Sequence, residues 1–139
     1  MKNPKYRASI IIVSFNYYDE TTGPCMDSLQ QDPAFSEFEI IVVDNSSDQK
    51  TVDCLTKHET LKNFKLIRND TNLGFGPANN IGINKASAPI IILLNSDTIV
   101  PSGAMSTLSE LLESNPTWSG VGPVTNSSGN EQLIRCEGK

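Results

Sequence analysis

The sequence predicts an α/β fold with a mostly parallel central sheet, and three observations predict it. Three apolar runs rich in β-branched residues recur along the chain at Ser9–Val13, Glu39–Val43 and Ile90–Leu94, with a mixed one at Phe64–Arg68. The segments between them carry helical spacing and helix-start signals. Two of the runs then stop abruptly in polar, acidic residues: Asp44-Asn45-Ser46-Ser47-Asp48 and Asn95-Ser96-Asp97. Alternation of strand and helix is the pattern of βαβ units, which give parallel sheets with helices on both faces. Polar residues at the ends of such strands fall on the carboxyl edge of the sheet, where open α/β folds bind ligands.

Each element has its own justification. The first strand, Ser9–Val13, is followed by Ser14-Phe15-Asn16 and a helix from near Gly23 to Gln31, with Cys25, Met26 and Leu29 turned inward. The second strand, Glu39–Val43, leads to a helix capped by Ser47 or Asp48, in which Val52 and Leu55 keep helical spacing. Phe64–Arg68 mixes apolar residues with Lys65 and Arg68 and is expected to be a third, more exposed strand. Gly76-Pro77 opens a helix through about Ala86, because proline suits a first turn. Ile90–Leu94 is five aliphatic residues in a row, the mark of a strand buried on both faces. Ser102 is expected to cap a helix carrying Met105, Leu108, Leu111 and Leu112, ended by Asn115-Pro116. A fifth strand is expected at Ser119–Val124. The tail, residues 125–139, is polar and turn-rich. Residues 1–139 read as a single domain without internal repeat or linker.

Composition excludes several classes of function. With 37% hydrophobic residues in 139, the chain can bury a core, yet no apolar stretch approaches the roughly 18–20 residues of a membrane-spanning helix. The apolar run Ile10–Val13 behind the basic N-terminus is too short for a signal peptide. A net charge of -5 with dispersed Lys and Arg argues against nucleic acid as a partner. Three cysteines, Cys25, Cys54 and Cys136, show neither zinc spacing nor an even disulfide framework, so reduced thiols and a cytoplasmic setting are expected.

The candidate site residues follow from the strand ends. Asp97 is either a ligand for a divalent cation that in turn holds phosphate, or a turn aspartate. Asn95 offers a neutral carbonyl beside it. Asp44 is either turn chemistry or an acceptor for a nucleobase N–H or ribose hydroxyl. Asp48 reads as a helix cap. The segment from Asn72 to Gly82, with Gly74 and Gly76 before a helix, can receive phosphate on backbone N–H groups; it is neither GxGxxG nor a Walker motif. Asn72 and Asn80 are polar for a helix–sheet wall, and either orient this loop or face the ligand. His58 reads as a solvated surface residue and Trp118 as core or lining. Ser14 has no triad partners, so a hydrolase is unsupported.

Taken together, SIIIVSFN, EIIVVDNSSD, NLGFGPANNIGINKA and ILLNSDTIVP resemble, in order and spacing, the family 2 glycosyltransferases with the GT-A fold, and the third block resembles rhamnosyltransferase-like members. The resemblance covers about residues 9 to 101. It implies a Rossmann-like nucleotide-sugar-binding sandwich and a transferase of polysaccharide assembly, inverting and dependent on Mg²⁺ or Mn²⁺. It implies donor contacts at Val13, Phe15, Asp44, Asn72, Gly74, Asn80, Asn95 and Ser96, with Asp97 as metal ligand of a DXD-type motif whose first position is here Asn. The implied partners are a UDP- or dTDP-sugar and a glycan or lipid-linked acceptor. Peripheral association with the inner membrane face and homo-oligomers are further expectations. Members of the family are about twice as long or more, so the chain is expected to be a donor-binding portion leading toward an acceptor-binding half. Its general base is expected beyond residue 139, with Glu131 and Glu137 the only carboxylates of the tail. The alternatives are a nucleotide-sugar binding module without turnover and an unrelated doubly wound domain.

Overall fold

The computed structural model describes residues 4–123. These divide into two compact units, one running through Met105 and one from Ser106. The first unit holds a four-stranded sheet in the order β3-β2-β1-β4, with every neighbouring pair parallel. Its strands are β1 (Ala8–Ser14), β2 (Phe38–Asp44), β3 (Phe64–Arg68) and β4 (Ile90–Asn95). The helices are α1 (Thr22–Gln30), α2 (Gln49–Thr56), α3 (Phe75–Lys85) and α4 (Ala104–Ser114), the last spanning the junction of the two units.

Strand alternation sorts the core into two layers. Ile10, Ile12, Ile40 and Val42 face one side and pack with Cys25, Met26 and Leu29 of α1 and Leu55 of α2. Ile11, Ile41 and Val43 face the other and pack with Ala78 of α3, joined by Val13 and Ile81. α3 lies close on β1 because Gly82 has no side chain: a β-carbon there would come within 2.4 Å of Ile11 Cγ2. Asp48 caps α2 by accepting from Thr51 N–H at 2.8 Å.

The amino-terminal edge of the sheet is held by one buried carboxylate. Glu39, 1% exposed, accepts hydrogen bonds from Ser9 Oγ, Lys65 Nζ and Ser87 N–H. Burial by itself pushes its pKa up, but these donors outweigh it and bring the carboxyl down to about 2.

Several expectations are corrected. β4 is one of the two edge strands of the described sheet, and Leu93 is 53% exposed, so the strand is not buried on both faces; an apolar run signals hydrophobicity, not a central place. α4 starts at Ala104, after Gly103 with φ +80°, so Ser102 lies outside the cap position. Leu111 is exposed. Residues 119–123 form no strand; Gly120, Gly122 and Pro123 each disfavour one. Val124 and the tail lie outside the described residues. His58 is half-buried rather than solvated, its ring centroid 6.0 Å from that of Tyr18 and 5.5 Å from that of Phe64, with Nε2 hydrogen-bonded to the Tyr18 hydroxyl at 2.6 Å. Trp118 is half exposed.

Candidate functional site

Register places the strand ends in one row. Ser14 stands opposite Asp44, Asp44 opposite Arg68, and Val13 opposite Asn95. Parallel strands are about 4.8 Å apart, so the ends of β2 and β4, flanking β1, are separated by about 10 Å. The chain builds outward from β1 to β3 and then returns to place β4 on the other side of β1. That reversal is the topological switch point beside which open α/β sheets bind ligands.

A cleft of ≈ 450 Å³ opens over β2 and β3, lined by Asp44, Ser46, Ser47, Arg68, Asn69 and Asp70. Asp44, 1% exposed, lies at its floor and accepts from Ser47 N–H at 3.2 Å. Asn69 N–H donates to the Asp44 carbonyl at 2.9 Å, and Asn45 N–H to the Ser14 carbonyl at 2.8 Å, so the strand ends stay in register past their last residues. Ser46, with φ +70°, turns the chain away, and its hydroxyl donates to the Asp70 carbonyl at 3.2 Å. The lining is polar and carries both signs of charge, which suits a ligand read by hydrogen bonds.

The loop after β1 is bent by two successive left-handed residues, Asn16 (φ +55°) and Tyr17 (φ +52°). Asn16 N–H donates to Ser47 Oγ at 2.9 Å, and Asp48 N–H donates to Asn16 Oδ1 at 2.8 Å. The loop is thereby fixed to the connection following β2. Val13 is half-buried against the α3 face, and Phe15 is 47% exposed just beyond it.

At the end of β4, Asn95 and Asp97 are exposed and Ser96 is half-buried. Thr98 N–H closes a turn on the Asn95 carbonyl at 3.2 Å. Behind it, the Cys25 thiol donates to the same carbonyl at 3.8 Å. Burial, and second to it the Asp97 carboxylate, push this thiol up to about 11, so it stays protonated and unreactive. Asn95, Ser96 and Asp97 offer hard oxygen donors but only one charge. Among the described residues no cluster of three His, Cys, Asp or Glu could hold a metal unaided. Such a donor set fits Mg²⁺ or Mn²⁺ completed by a ligand's phosphate oxygens.

The remaining wall is the turn before α3. Gly74, with φ +81°, is the N-cap of α3. Asn72 Oδ1 accepts from Gly74 N–H at 2.9 Å and from Asn45 Nδ2 at 2.7 Å. Asn80 is exposed on the second turn of α3.

Of the nine donor and metal candidates, Val13, Phe15, Asp44, Asn95, Ser96 and Asp97 lie at or just past the ends of β1, β2 and β4, and Asn72, Gly74 and Asn80 on the turn before α3 and on α3 itself. Asp44 belongs to the cleft, whereas Asn95, Ser96 and Asp97 lie across β1 from it. Sequence reasoning passed over Arg68, which ends the third strand, and Asn69 and Asp70, which follow it, although the same strand-end rule would have found them. It also passed over Asn45, whose amide joins three segments of the site.

Comparison with known proteins bears on this edge. The family model described as "Glycosyl transferase family 2" matches residues 9–135. Poly(ribitol-phosphate) beta-N-acetylglucosaminyltransferase TarS of Staphylococcus aureus is 27% identical over 93 residues, which are 66% of this chain and 16% of that protein. Poly-beta-1,6-N-acetyl-D-glucosamine synthase of Staphylococcus epidermidis is 28% identical over 93 residues, 67% of this chain and 22% of that protein. The chain thus spans about a fifth of the length of these curated relatives. Among solved structures, S. aureus TarS in complex with UDP-GlcNAc superposes with a TM-score of 0.69 at 21% identity, covering 84% of this chain and 37% of that one. A mannosyltransferase from Pyrobaculum calidifontis in complex with GDP-Man and Mn²⁺ gives 0.68 at 19% identity, covering 79% and 34%. At these identities the likeness is one of fold.

Proposed function

The chain belongs to glycosyl transferase family 2, and on that premise we propose that its carboxyl edge holds the nucleotide-sugar donor of an inverting, metal-dependent glycosyltransferase of cell-surface polysaccharide assembly. The observation that carries this reading is the single row of strand ends, with a polar cleft over Asp44 at one end and Asn95-Ser96-Asp97 at the other. In this reading Asp44 accepts a hydrogen bond from base or ribose, while Val13 and Phe15 flank the base. Asn72, Gly74 and Asn80 border the donor, and Asn95, Ser96 and Asp97 face the diphosphate. Asp97 is the charged ligand for Mg²⁺ or Mn²⁺, which when bound supplies Lewis-acid stabilisation of the departing nucleoside diphosphate. An inverting transfer also needs a general base within reach of the acceptor hydroxyl. None of the carboxylates placed above is assigned that role, and it is proposed for a segment outside the described residues.

A UDP- or dTDP-sugar is the proposed donor, supported by the UDP-GlcNAc complex of the S. aureus neighbour. A glycan or lipid-linked acceptor is supported by the relatives' names, among them a teichoic acid poly(glycerol phosphate) polymerase of S. epidermidis. Among the described residues no helix is long and apolar enough to cross a membrane; the proposed place of action is cytoplasmic, at the inner membrane face. Calorimetry with UDP tests the reading. Binding should require Mn²⁺, be abolished by EDTA and weaken in Asp97→Ala, which removes the only charged donor of the triplet. Equal affinity with EDTA, or in the variant, would remove the metal role from Asp97.

A further inference from the structure

Asn45 is 2% exposed, yet all of its side-chain bonding capacity is spent on the connection between β3 and α3. Its Oδ1 accepts from Asn69 Nδ2 at 3.1 Å and from Leu73 N–H at 3.0 Å. Its Nδ2 donates to Asn72 Oδ1 at 2.7 Å and to the Gly74 carbonyl at 3.4 Å. The amide orientation is dictated by main-chain groups that cannot exchange roles, the Leu73 N–H on one side and the Gly74 carbonyl on the other. Its own N–H binds the Ser14 carbonyl, so one residue joins the ends of β1 and β2 to a six-residue stretch, 69–74. That stretch contains one wall of the cleft, Asn69 and Asp70, and the turn that sets the first N–H groups of α3, which by helix geometry lack intrahelical partners.

We propose that Asn45 is the positioning residue of the donor site: its amide sets the cleft wall at Asn69 and the Asn72–Gly74 turn as one piece, so that nucleoside and diphosphate are held at a fixed separation. This rests on the donor-site reading above. An amide is required at position 45, not merely a polar group of that size. Asn45→Asp keeps the shape but turns a carboxylate oxygen toward two acceptors, Asn72 Oδ1 and the Gly74 carbonyl, which releases the turn. Protonating that carboxyl restores an O–H donor, and burial raises the pH at which this happens.

The test uses the full 139-residue chain, with UDP as probe and amide hydrogen exchange as a readout that needs no ligand. In Asn45→Asp near neutral pH, exchange at Leu73 and Gly74 should accelerate. UDP affinity should fall about tenfold relative to the native chain at the same pH, the scale of one net hydrogen bond. Acidification should narrow that ratio, whereas a purely structural role would lower the melting temperature and leave the affinity of the folded protein and its pH profile unchanged. Unchanged exchange at 69–74 with unchanged affinity overturns the proposal. If the native chain binds no UDP, the donor-site reading fails by itself, and exchange still decides: acceleration confined to 69–74 supports the positioning role and a uniform rise overturns it. Should Asn45→Asp not fold, Asn72→Ala breaks the same bond from an exposed position. Exchange should accelerate at Leu73, whose N–H is held by Asn45 and not by Asn72, and no change there would overturn the role.

Discussion

Gly82→Ala is expected to destabilise the protein, against the usual preference of helices for alanine. Gly82 lies inside α3, and an added β-carbon would stand 2.4 Å from Ile11 Cγ2, 3.3 Å from Val43 Cγ2 and 3.4 Å from Ile11 Cδ1. Carbon atoms pack best at about 3.5–4.0 Å, so the first contact is too short by more than about 1 Å. Ile11 cannot yield cheaply. It is fully buried, its γ2 methyl moves only with a change of χ1, and β1 is paired on both sides. Relief must come from lifting α3 off the sheet, which loosens Ala78 and Ile81 as well. Overpacking of this kind costs about 1–3 kcal/mol, and at a site this closed the upper end applies. Alanine returns about 1 kcal/mol of helix propensity. The net loss is about 2 kcal/mol, a fall in Tm on the order of 5–10 °C. Gly76→Ala in the same helix is the control: nothing lies within 4 Å of its β-carbon, and its φ is not left-handed. That variant should be neutral or gain up to about 0.5 kcal/mol. Urea unfolding followed by circular dichroism separates the two. A midpoint for Gly82→Ala equal to or above that of the native chain would refute the idea that the missing β-carbon sets the spacing of α3 from β1.

Two further outcomes are expected. Asp44→Asn keeps an acceptor for Ser47 N–H but removes the charge at the cleft floor, so UMP and UDP should lose affinity by the same factor; a loss confined to UDP in calorimetry would place Asp44 on the phosphates instead. Burial, opposed only by the Asp27 carboxylate, holds the pKa of His58 below its ordinary 6.5, so the folded state prefers the neutral ring. Stability is then complete above pH 6.5 and falls as pH drops through the lowered pKa, by at most about 1.4 kcal/mol per pH unit. The pH dependence of Tm between 5 and 7 should flatten in His58→Gln, and an unaltered dependence in that variant would exclude His58 as its source.

The layered sheet was legible because runs such as Ile10–Val13 and Ile40–Val43 carry their own length, branching and boundaries. Asp48 was legible as a cap for the same local reason. The place of β4 in the sheet was not, since an aliphatic run states how apolar a strand is and not how many neighbours it has. His58 was misjudged because its surroundings come from Tyr18, forty residues earlier, and from Phe64, while its immediate neighbours Lys57 and Glu59 are polar. The polar ends of β2 and β4 announced a site at the carboxyl edge. Asn45 was hidden inside ordinary turn chemistry, because nothing in Asp-Asn-Ser-Ser shows that an asparagine will be buried and that its four partners will lie 24 to 29 residues further on.

Glu39 has a consequence at the far end of the sheet from its own position. Parallel strands this rich in aliphatic residues can be aligned in several ways at little difference in hydrophobic energy, yet only one alignment brings a serine, a lysine and a main-chain N–H to this carboxylate. A slip of β2 by one residue would turn Glu39 to the opposite face and leave it buried among apolar side chains of α1 and α2, without donors. The same slip would displace Asp44, five residues along the strand, by about 3.3 Å and turn it away from the cleft. The carboxylate at the closed edge therefore works as an address for the open one: where Asp44 stands against Ser14 and Arg68 is decided about 17 Å away.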